Sequence, residues 1–167
     1  HIRAALVAET PTPRPGETVT LAILMRPEKG WHGYWENPGD AGTGMRIEWA
    51  LPSGVTAGAL RYPVPERLMI SGLMNHVYEH DYAVLFDVTI PAGLAQGTTV
   101  PVRGQAQWLA CTDSICVPEQ GEIATTLTIG DGTIQPADRA RFDGYRAHLP
   151  RPLDQQARYA QSGDRIA

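Results

Sequence analysis

Basic clusters and long apolar runs are both missing from this 167-residue sequence. No run of lysine or arginine occurs, the formal net charge is -4 and the pI is about 5.7. The positive electrostatic footprint of a nucleic-acid-binding protein is therefore absent. The apolar stretches also fall far short of the roughly 20 residues that a transmembrane helix needs. The sequence predicts neither nucleic-acid binding nor a membrane span within these residues.

Cysteine is scarce as well, since the only two cysteines are Cys111 and Cys116 in the segment WLACTDSICVPEQG. A bridge across so short a loop would stabilise the fold by only about 2 kcal/mol, against about 4.7 for a hundred-residue loop. A chain of this length, 43% hydrophobic, can bury an adequate core without such a bridge. A purely structural role for the pair is therefore disfavoured.

Alternation of apolar and polar residues marks most of the predicted secondary structure. This period-2 pattern is typical of strands with one buried face. Fourteen prolines and seventeen glycines supply turn residues between the apolar runs. About seven or eight short strands with such turns predict an all-β, antiparallel β-sandwich. The clearest of the predicted strands cover residues 2–9, 19–25, 45–51, 82–90, 100–110 and 123–129.

The C-terminal region has a different pattern of apolar and polar residues. From residue 133 the alternation stops, and a short helix is predicted over Pro136–His148 before a proline-rich break. We therefore divide the chain into a β-domain, residues 1–132, and a helical linker, residues 133–167.

The segment 62–81 is long, lacks clean periodicity and yet carries apolar residues, including Leu68, Met69 and Ile70. Long apolar loops in compact domains tend to be functional or to cover something. This segment is a candidate lid.

Several roles remain open for the two cysteines on residue chemistry alone. A four-residue connection between antiparallel strands would bring them within disulfide distance, and a bridge that adds little stability suits a redox couple. Alternatively, His76 and His80 could complete a Cys/His metal site, although the cysteine spacing is not the usual one. A cysteine nucleophile with a histidine base is a third alternative, but the second cysteine would expose it to oxidation.

Five ordered motifs carry a resemblance to a known family. The chain resembles the N-terminal periplasmic domain of transmembrane thiol:disulfide reductases of the DsbD and ScsB type. The motifs are GWHGYWENPGDAG (30–42), RIEWALPSGV (46–55), RYPVPER (61–67), YEHDYAVL (78–85) and WLACTDSICVPEQGE (108–122).

The resemblance implies an immunoglobulin-like β-sandwich with an inserted redox hairpin, a flexible cap loop and no bound cofactor. It implies a periplasmic domain of an inner-membrane protein, with a tail leading toward a second β-domain. It further implies a protein-disulfide reductase that takes electrons from the membrane-embedded or thioredoxin-like part of the same protein. The electrons would pass to periplasmic thioredoxin-fold partners. The first motif, residues 30–42, which we call the tryptophan-rich motif, is more similar to the ScsB branch of the family. The resemblance associates that branch with copper tolerance.

Residue roles are also implied by the resemblance. Cys116 would form the mixed disulfide with a partner, and Cys111 would resolve it. The cap loop would comprise Leu68, Met69, Ile70, Ser71 and Gly72. It has no acidic or aromatic residue, so Met69 and Ile70 would shield the sulfurs by bulk.

Two residues of the fourth motif are candidates for proton transfer, and His32 of the first motif has a simpler interpretation. Tyr78 and Glu79, where the lid meets the next strand, could shuttle a proton, although cross-strand packing also explains them. His32 is most simply a solvated or hydrogen-bonded residue.

The rival function is a non-catalytic β-sandwich for binding or copper handling, with a structural disulfide or a Cys/His metal site.

Overall fold

The structure is a computed structural model that describes residues 1–152, 161–162 and 165–166. Within these described residues, twelve strands and one helix follow one another. They are β1 (Ile2–Ala8), β2 (Thr18–Pro27), β3 (Gly33–Gly39), β4 (Arg46–Ala50), β5 (Thr56–Ala57), β6 (Glu66–Ile70), β7 (Leu73–Tyr78), β8 (Tyr82–Thr89), β9 (Thr99–Cys111), β10 (Cys116–Thr128), α1 (Pro136–Ala147), β11 (Gln161–Ser162) and β12 (Arg165–Ile166).

Two antiparallel sheets face each other across the main core. One has the strand order β1-β2-β8-β5 and the other has the order β10-β9-β4. Alternate residues of each strand point inward, as the period-2 pattern predicted. The first sheet buries Leu21 against Phe86 in register, and the second contributes Val102 and Leu127. The predicted immunoglobulin-like β-sandwich is thus confirmed.

A third sheet, with the order β3-β7-β6, extends from the end of the β9–β10 hairpin. It is joined there by one antiparallel bridge between His32 and Cys111. The bridge consists of two backbone hydrogen bonds, of 2.8 and 3.1 Å, in which each residue donates to the other. The third sheet is therefore attached directly at a cysteine.

The segment expected to be an irregular cap loop is instead a β-hairpin. Strands β6 and β7 pair in register from Glu66↔Val77 to Ile70↔Leu73. Only Ser71 and Gly72 connect them, with φ angles of 51° and 84°. Positive φ at both central residues matches the twist of a tight hairpin. We call residues 66–78 the cap hairpin.

Helix α1 covers the outer face of the first sheet. Pro136 occupies the first turn, where its missing N–H costs nothing, and the helix ends one residue before the predicted His148. Phe142 is fully buried against Ala22, Ala83 and Leu85. Within the described part of the chain, no helix is long and apolar enough to span a bilayer.

Ion pairing holds the same helix to the sandwich. Glu9, which is 5% exposed, accepts hydrogen bonds from both terminal nitrogens of the Arg146 guanidinium, one of them at 2.9 Å. Arg139 lies 3.7 Å from the same carboxylate. Helix α1 thus packs on the β-domain, while the division of the chain at residue 132 remains a prediction.

Removing the buried ring of the helix tests whether α1 folds together with the sandwich. Phe142→Ala should lower the free energy of unfolding by about 3 kcal/mol, the lower end for a buried Phe→Ala change. Denaturant titration followed by circular dichroism measures it. Arg141→Ala removes an exposed ion pair with Asp138 and the guanidinium that lies 5.9 Å from the centre of the Phe142 ring, but leaves that ring in place. It is the control and should cost at most about 1 kcal/mol. Equal small losses for both variants would show that α1 is not part of the cooperative unit.

Candidate functional site

Cys111 and Cys116 form a disulfide at the tip of the β9–β10 hairpin. They are the last and first residues of the two strands and stand opposite each other in the register. Their Cα atoms lie 4.1 Å apart. We call this hairpin, with its tip at residues 112–115, the redox hairpin.

The bridge to His32 explains why this pair can bond. In antiparallel strands the backbone N–H and C=O groups of one residue point to the same side. Both of its backbone hydrogen bonds therefore go to a residue on only one of the two neighbouring strands. Cys111 exchanges both with His32. Cys116 therefore faces Cys111 as a non-hydrogen-bonded partner, the register in which Cα atoms approach most closely.

The tip between the cysteines is an ordered turn. The hydroxyl of Thr112 accepts hydrogen bonds from the backbone N–H groups of Ser114 and Ile115, both at 3.2 Å. The N–H of Thr112 in turn donates to the carbonyl of Ile115 at 2.8 Å. Asp113 and Ser114 are exposed at the apex. These local bonds hold the two strand ends at the spacing that the disulfide needs.

The two sulfur-bearing residues differ sharply in exposure. Cys111 is fully buried, whereas Cys116 is exposed. Cys111 belongs to a small apolar cluster with Tyr34 and Val77, separate from the main core. A soluble partner can therefore approach Cys116 while Cys111 stays covered.

The cap hairpin supplies part of that cover. Among the predicted cap residues, Leu68 packs against the cluster that contains Cys111. Met69 is 62% exposed, and Ser71 and Gly72 are also exposed at the turn, while Ile70 is half-buried. The cap hairpin thus contributes Val77 and Leu68 to the Cys111 cluster, while Met69, Ser71 and Gly72 face solvent.

The opposite strand of the cap hairpin carries a buried amide. Asn75 pairs with Leu68 in the register and, two residues before Val77, shares its face of β7. Its side-chain nitrogen donates to the carbonyl of Leu73 at 3.1 Å and lies 3.5 Å from that of Leu68. These contacts tie the two strands of the cap hairpin beside the cluster.

A loop from the tryptophan-rich motif anchors the cap hairpin. The Asp40 carboxylate accepts a hydrogen bond of 2.8 Å from the backbone N–H of Met74. The backbone N–H of Asp40 in turn donates a hydrogen bond of 2.8 Å to the Met74 carbonyl. Gly39 has a φ of 89°, and a Cβ there would lie 2.4 Å from the Met74 carbonyl oxygen. The sequence identified this stretch only as a turn. Its acidic residue and glycines were the available signal for an anchor.

A buried histidine and tyrosine lie beside Cys111. His32 is 2% exposed, and its Nε2 shares a hydrogen bond of 3.3 Å with the hydroxyl of Tyr34. Burial lowers the pKa of His32 below its usual value, and the carboxylates of Glu79 and Asp113 oppose this shift. Burial likewise raises the pKa of Tyr34. Of the two expectations for His32, the structure realises the hydrogen-bonded one.

The two residues predicted as a proton shuttle lie in different surroundings. Tyr78 is packed in the main core, donates its hydroxyl to the carbonyl of Pro63 at 2.7 Å and stacks on Tyr82. Burial raises the pKa of Tyr78 far above its usual value. Its neighbour Glu79 is exposed, and its charge acts on His32. Tyr78 is therefore committed to the main core, whereas Glu79 is an exposed charge that acts on His32.

The two histidines considered as metal ligands have separate contacts. The Nδ1 of His76 hydrogen-bonds with the carbonyl of Asn37 at 2.9 Å, and His80 lies 3.5 Å from Glu66 at the surface. Among residues 1–152, no three His, Cys, Asp or Glu side chains are grouped as a metal site would require. The histidines are thus not assembled with the cysteines.

Comparisons with known proteins identify one matching family and several solved structures of similar fold. The sequence pattern of the family "Thiol:disulfide interchange protein DsbD, N-terminal" matches residues 3–128. The N-terminal periplasmic domain of ScsB from Proteus mirabilis superposes with a TM-score of 0.58 at 16% identity. That alignment covers 89% of this chain and 53% of the ScsB chain, so this chain spans about half the length of its relative.

A second solved structure is the reduced N-terminal domain of DsbD from Neisseria meningitidis, with 11% identity and a TM-score of 0.40. The alignment covers 78% of this chain and 86% of that one. No curated protein matches the sequence. The family match extends over most of the chain, from β1 to the end of β10 and through the redox hairpin. The chain therefore belongs to the family of N-terminal domains of the thiol:disulfide interchange protein DsbD.

Proposed function

We propose that this domain is a periplasmic protein-disulfide reductase module that works through the Cys111/Cys116 couple. The observation that carries the proposal is the pairing of an exposed Cys116 with a fully buried Cys111 at an ordered hairpin tip. Exchange needs one sulfur that a partner can reach and a second sulfur that can displace the partner. The short loop between the cysteines also means that opening the bridge costs the fold little.

The reaction begins with the reduced domain. The Cys116 thiolate attacks one sulfur of a partner disulfide, forms a mixed disulfide and releases the other partner sulfur as a thiolate. Cys111 then loses its proton and attacks the Cys116 sulfur. The bond between Cys116 and the partner breaks, and the partner leaves as a dithiol after taking up protons. Two electrons have passed to the partner, and the Cys111–Cys116 disulfide has formed.

Re-reduction completes the relay. The membrane-embedded or thioredoxin-like part of the same protein would supply the two electrons by the same chemistry run in reverse. The domain would then be the periplasmic part of an inner-membrane protein. The similarity to a domain described as the periplasmic part of ScsB supports this location.

Exposed apolar side chains on the redox hairpin and the cap hairpin support docking of another protein. Ile115 at the redox hairpin tip is 57% exposed, and Met69 and Leu73 of the cap hairpin are 62% and 48% exposed. Ile115 directly precedes the exposed Cys116, and an exposed large apolar side chain beside a reactive sulfur can form part of an interaction surface. Thioredoxin-fold periplasmic proteins are the proposed partners, because they carry disulfides that such a surface would bring to Cys116.

The cap hairpin would regulate access to Cys111. Leu68 has to move before a reagent can reach the buried sulfur, and the bonds between Asp40 and Met74 resist that movement. Loss of one such hydrogen bond costs about 1 kcal/mol. The cap would therefore open more often once Asp40 could no longer accept a bond.

Single cysteine variants test the proposed roles. Reduced Cys111→Ser should accumulate a mixed disulfide with an oxidised thioredoxin-fold protein, because nothing can displace the partner from Cys116. Reduced Cys116→Ser should accumulate none. Non-reducing electrophoresis and intact-mass spectrometry measure the adduct, with the double serine variant as the control. Adducts from Cys116→Ser alone would reverse the roles, and adducts from neither variant would contradict the proposed function.

The contact between Asp40 and Met74, which anchors the cap hairpin, can be tested in the Cys116→Ser variant, where Cys111 is the only thiol. Asp40→Ala should speed alkylation of Cys111 by iodoacetamide about fivefold, the factor that corresponds to roughly 1 kcal/mol. Asp40→Asn is the matched control, because it removes the charge but keeps a side-chain oxygen that can accept the Met74 N–H. Equal alkylation rates for Asp40→Ala and the parent would show that this anchor does not limit access.

A further inference from the structure

The resolving step poses a chemical problem at Cys111. A thiol attacks a disulfide only as its thiolate, and burial in apolar surroundings raises the pKa of a thiol. Cys111 is fully buried among Tyr34, Val77, Leu68 and Leu109. Water has little access to its proton. A base inside the cluster is therefore required if the step is to be fast near neutral pH.

One side chain is placed to act as that base. His32 and Cys111 are direct partners in an antiparallel bridge, and such partners project their side chains on the same face, with Cβ atoms about 5.5 Å apart. Cys116 is the partner of Cys111 on the other side and shares that face. The order across the sheet is thus Cys116, Cys111, His32.

The surroundings of the imidazole are suited to accepting a proton. The Tyr34 hydroxyl hydrogen-bonds to the ring and Cys111 is the strand partner of His32. The charges of Asp113 on the redox hairpin and of Glu79 after β7 also act on the imidazole. Burial keeps the ring neutral and therefore able to accept a proton, and the two carboxylates favour the imidazolium once it forms. The ring is also fixed, since its Nε2 is bonded to the Tyr34 hydroxyl.

We propose that His32 accepts the Cys111 proton during the resolving step and that Tyr34 is the positioning residue for its imidazole. This inference rests on the proposed exchange function. In the tautomer that serves this role, the Nε2–H donates to the Tyr34 oxygen and leaves the Nδ1 lone pair as the acceptor.

The proton and electron balance is complete. The proton moves from the Cys111 sulfur to Nδ1, the Cys111 sulfur bonds to the Cys116 sulfur, and the partner sulfur leaves with the electron pair of the broken bond. The imidazolium then releases its proton to the departing thiolate or to solvent. In re-reduction His32 first takes up a proton from solvent or from the thiol of the reducing partner, and then passes it to the Cys111 thiolate that leaves the disulfide.

A two-step assay separates this inference from the exchange function. The reduced domain is mixed with a chromogenic aromatic disulfide in a stopped-flow instrument. Attack by Cys116 releases a first equivalent of coloured thiolate, and resolution by Cys111 releases a second. The second-phase rate is measured against pH. For the native chain it should reach a plateau near neutral pH, because proton loss from Cys111 and proton gain by His32 cancel.

His32→Gln should slow the second phase about a hundredfold near neutral pH, a typical general-base contribution, and leave the first phase unchanged. Its second-phase rate should rise with pH and approach the native rate once the thiol ionises by itself. His80→Gln, at an exposed histidine, is the matched control and should match the native profile. A native profile for His32→Gln, or a slowing that persists at all pH values, would overturn the proposal.

Tyr34→Phe provides a second test if His32→Gln does not fold. Loss of the oxygen that accepts the Nε2–H should destabilise the imidazolium, so the plateau rate falls and the acid limb moves to lower pH. An unchanged acid limb would contradict the positioning role. Absence of a second phase in the native chain would instead contradict the exchange function itself.

Discussion

The pair of backbone hydrogen bonds between His32 and Cys111 is the constraint on which the rest of the site depends. It occupies both backbone groups of Cys111 and so forces Cys116 into the close, non-hydrogen-bonded register. It also attaches the β3-β7-β6 sheet, which carries the cap hairpin, to the end of the redox hairpin. This one bridge thus attaches a third sheet over Cys111 and makes His32 its direct strand partner.

The site is assembled from segments that are far apart in the sequence. The redox hairpin supplies the sulfurs, the cap hairpin supplies Leu68 and Val77, and the segment before and within β3 supplies His32 and Tyr34. Asp40 then fixes the cap hairpin through the backbone of Met74. The sandwich itself contributes rigidity rather than chemistry. Its core is separate from the Cys111 cluster, so the site can loosen without unfolding the domain.

Sequence patterns predicted the sandwich well, for a physical reason. Strands β2 and β10 lie on the main core with one face, so alternation at residues 19–25 and 123–129 was visible. The cap hairpin packs instead on a small cluster with few apolar side chains, and its alternation is weak. The Ser71–Gly72 pair was the local signal for its turn. The neighbour of Cys111 could not be predicted, because His32 meets it only through the pairing of distant segments.

The equilibrium reduction potential of the Cys111–Cys116 pair tests the central claim most directly. Thiol trapping across a series of glutathione or dithiothreitol ratios gives the value for the intact chain. A redox-active couple at this hairpin should have a potential of roughly -180 to -270 mV, the range of exchange-active pairs. A potential well below about -300 mV would mark the bridge as structural and contradict the account.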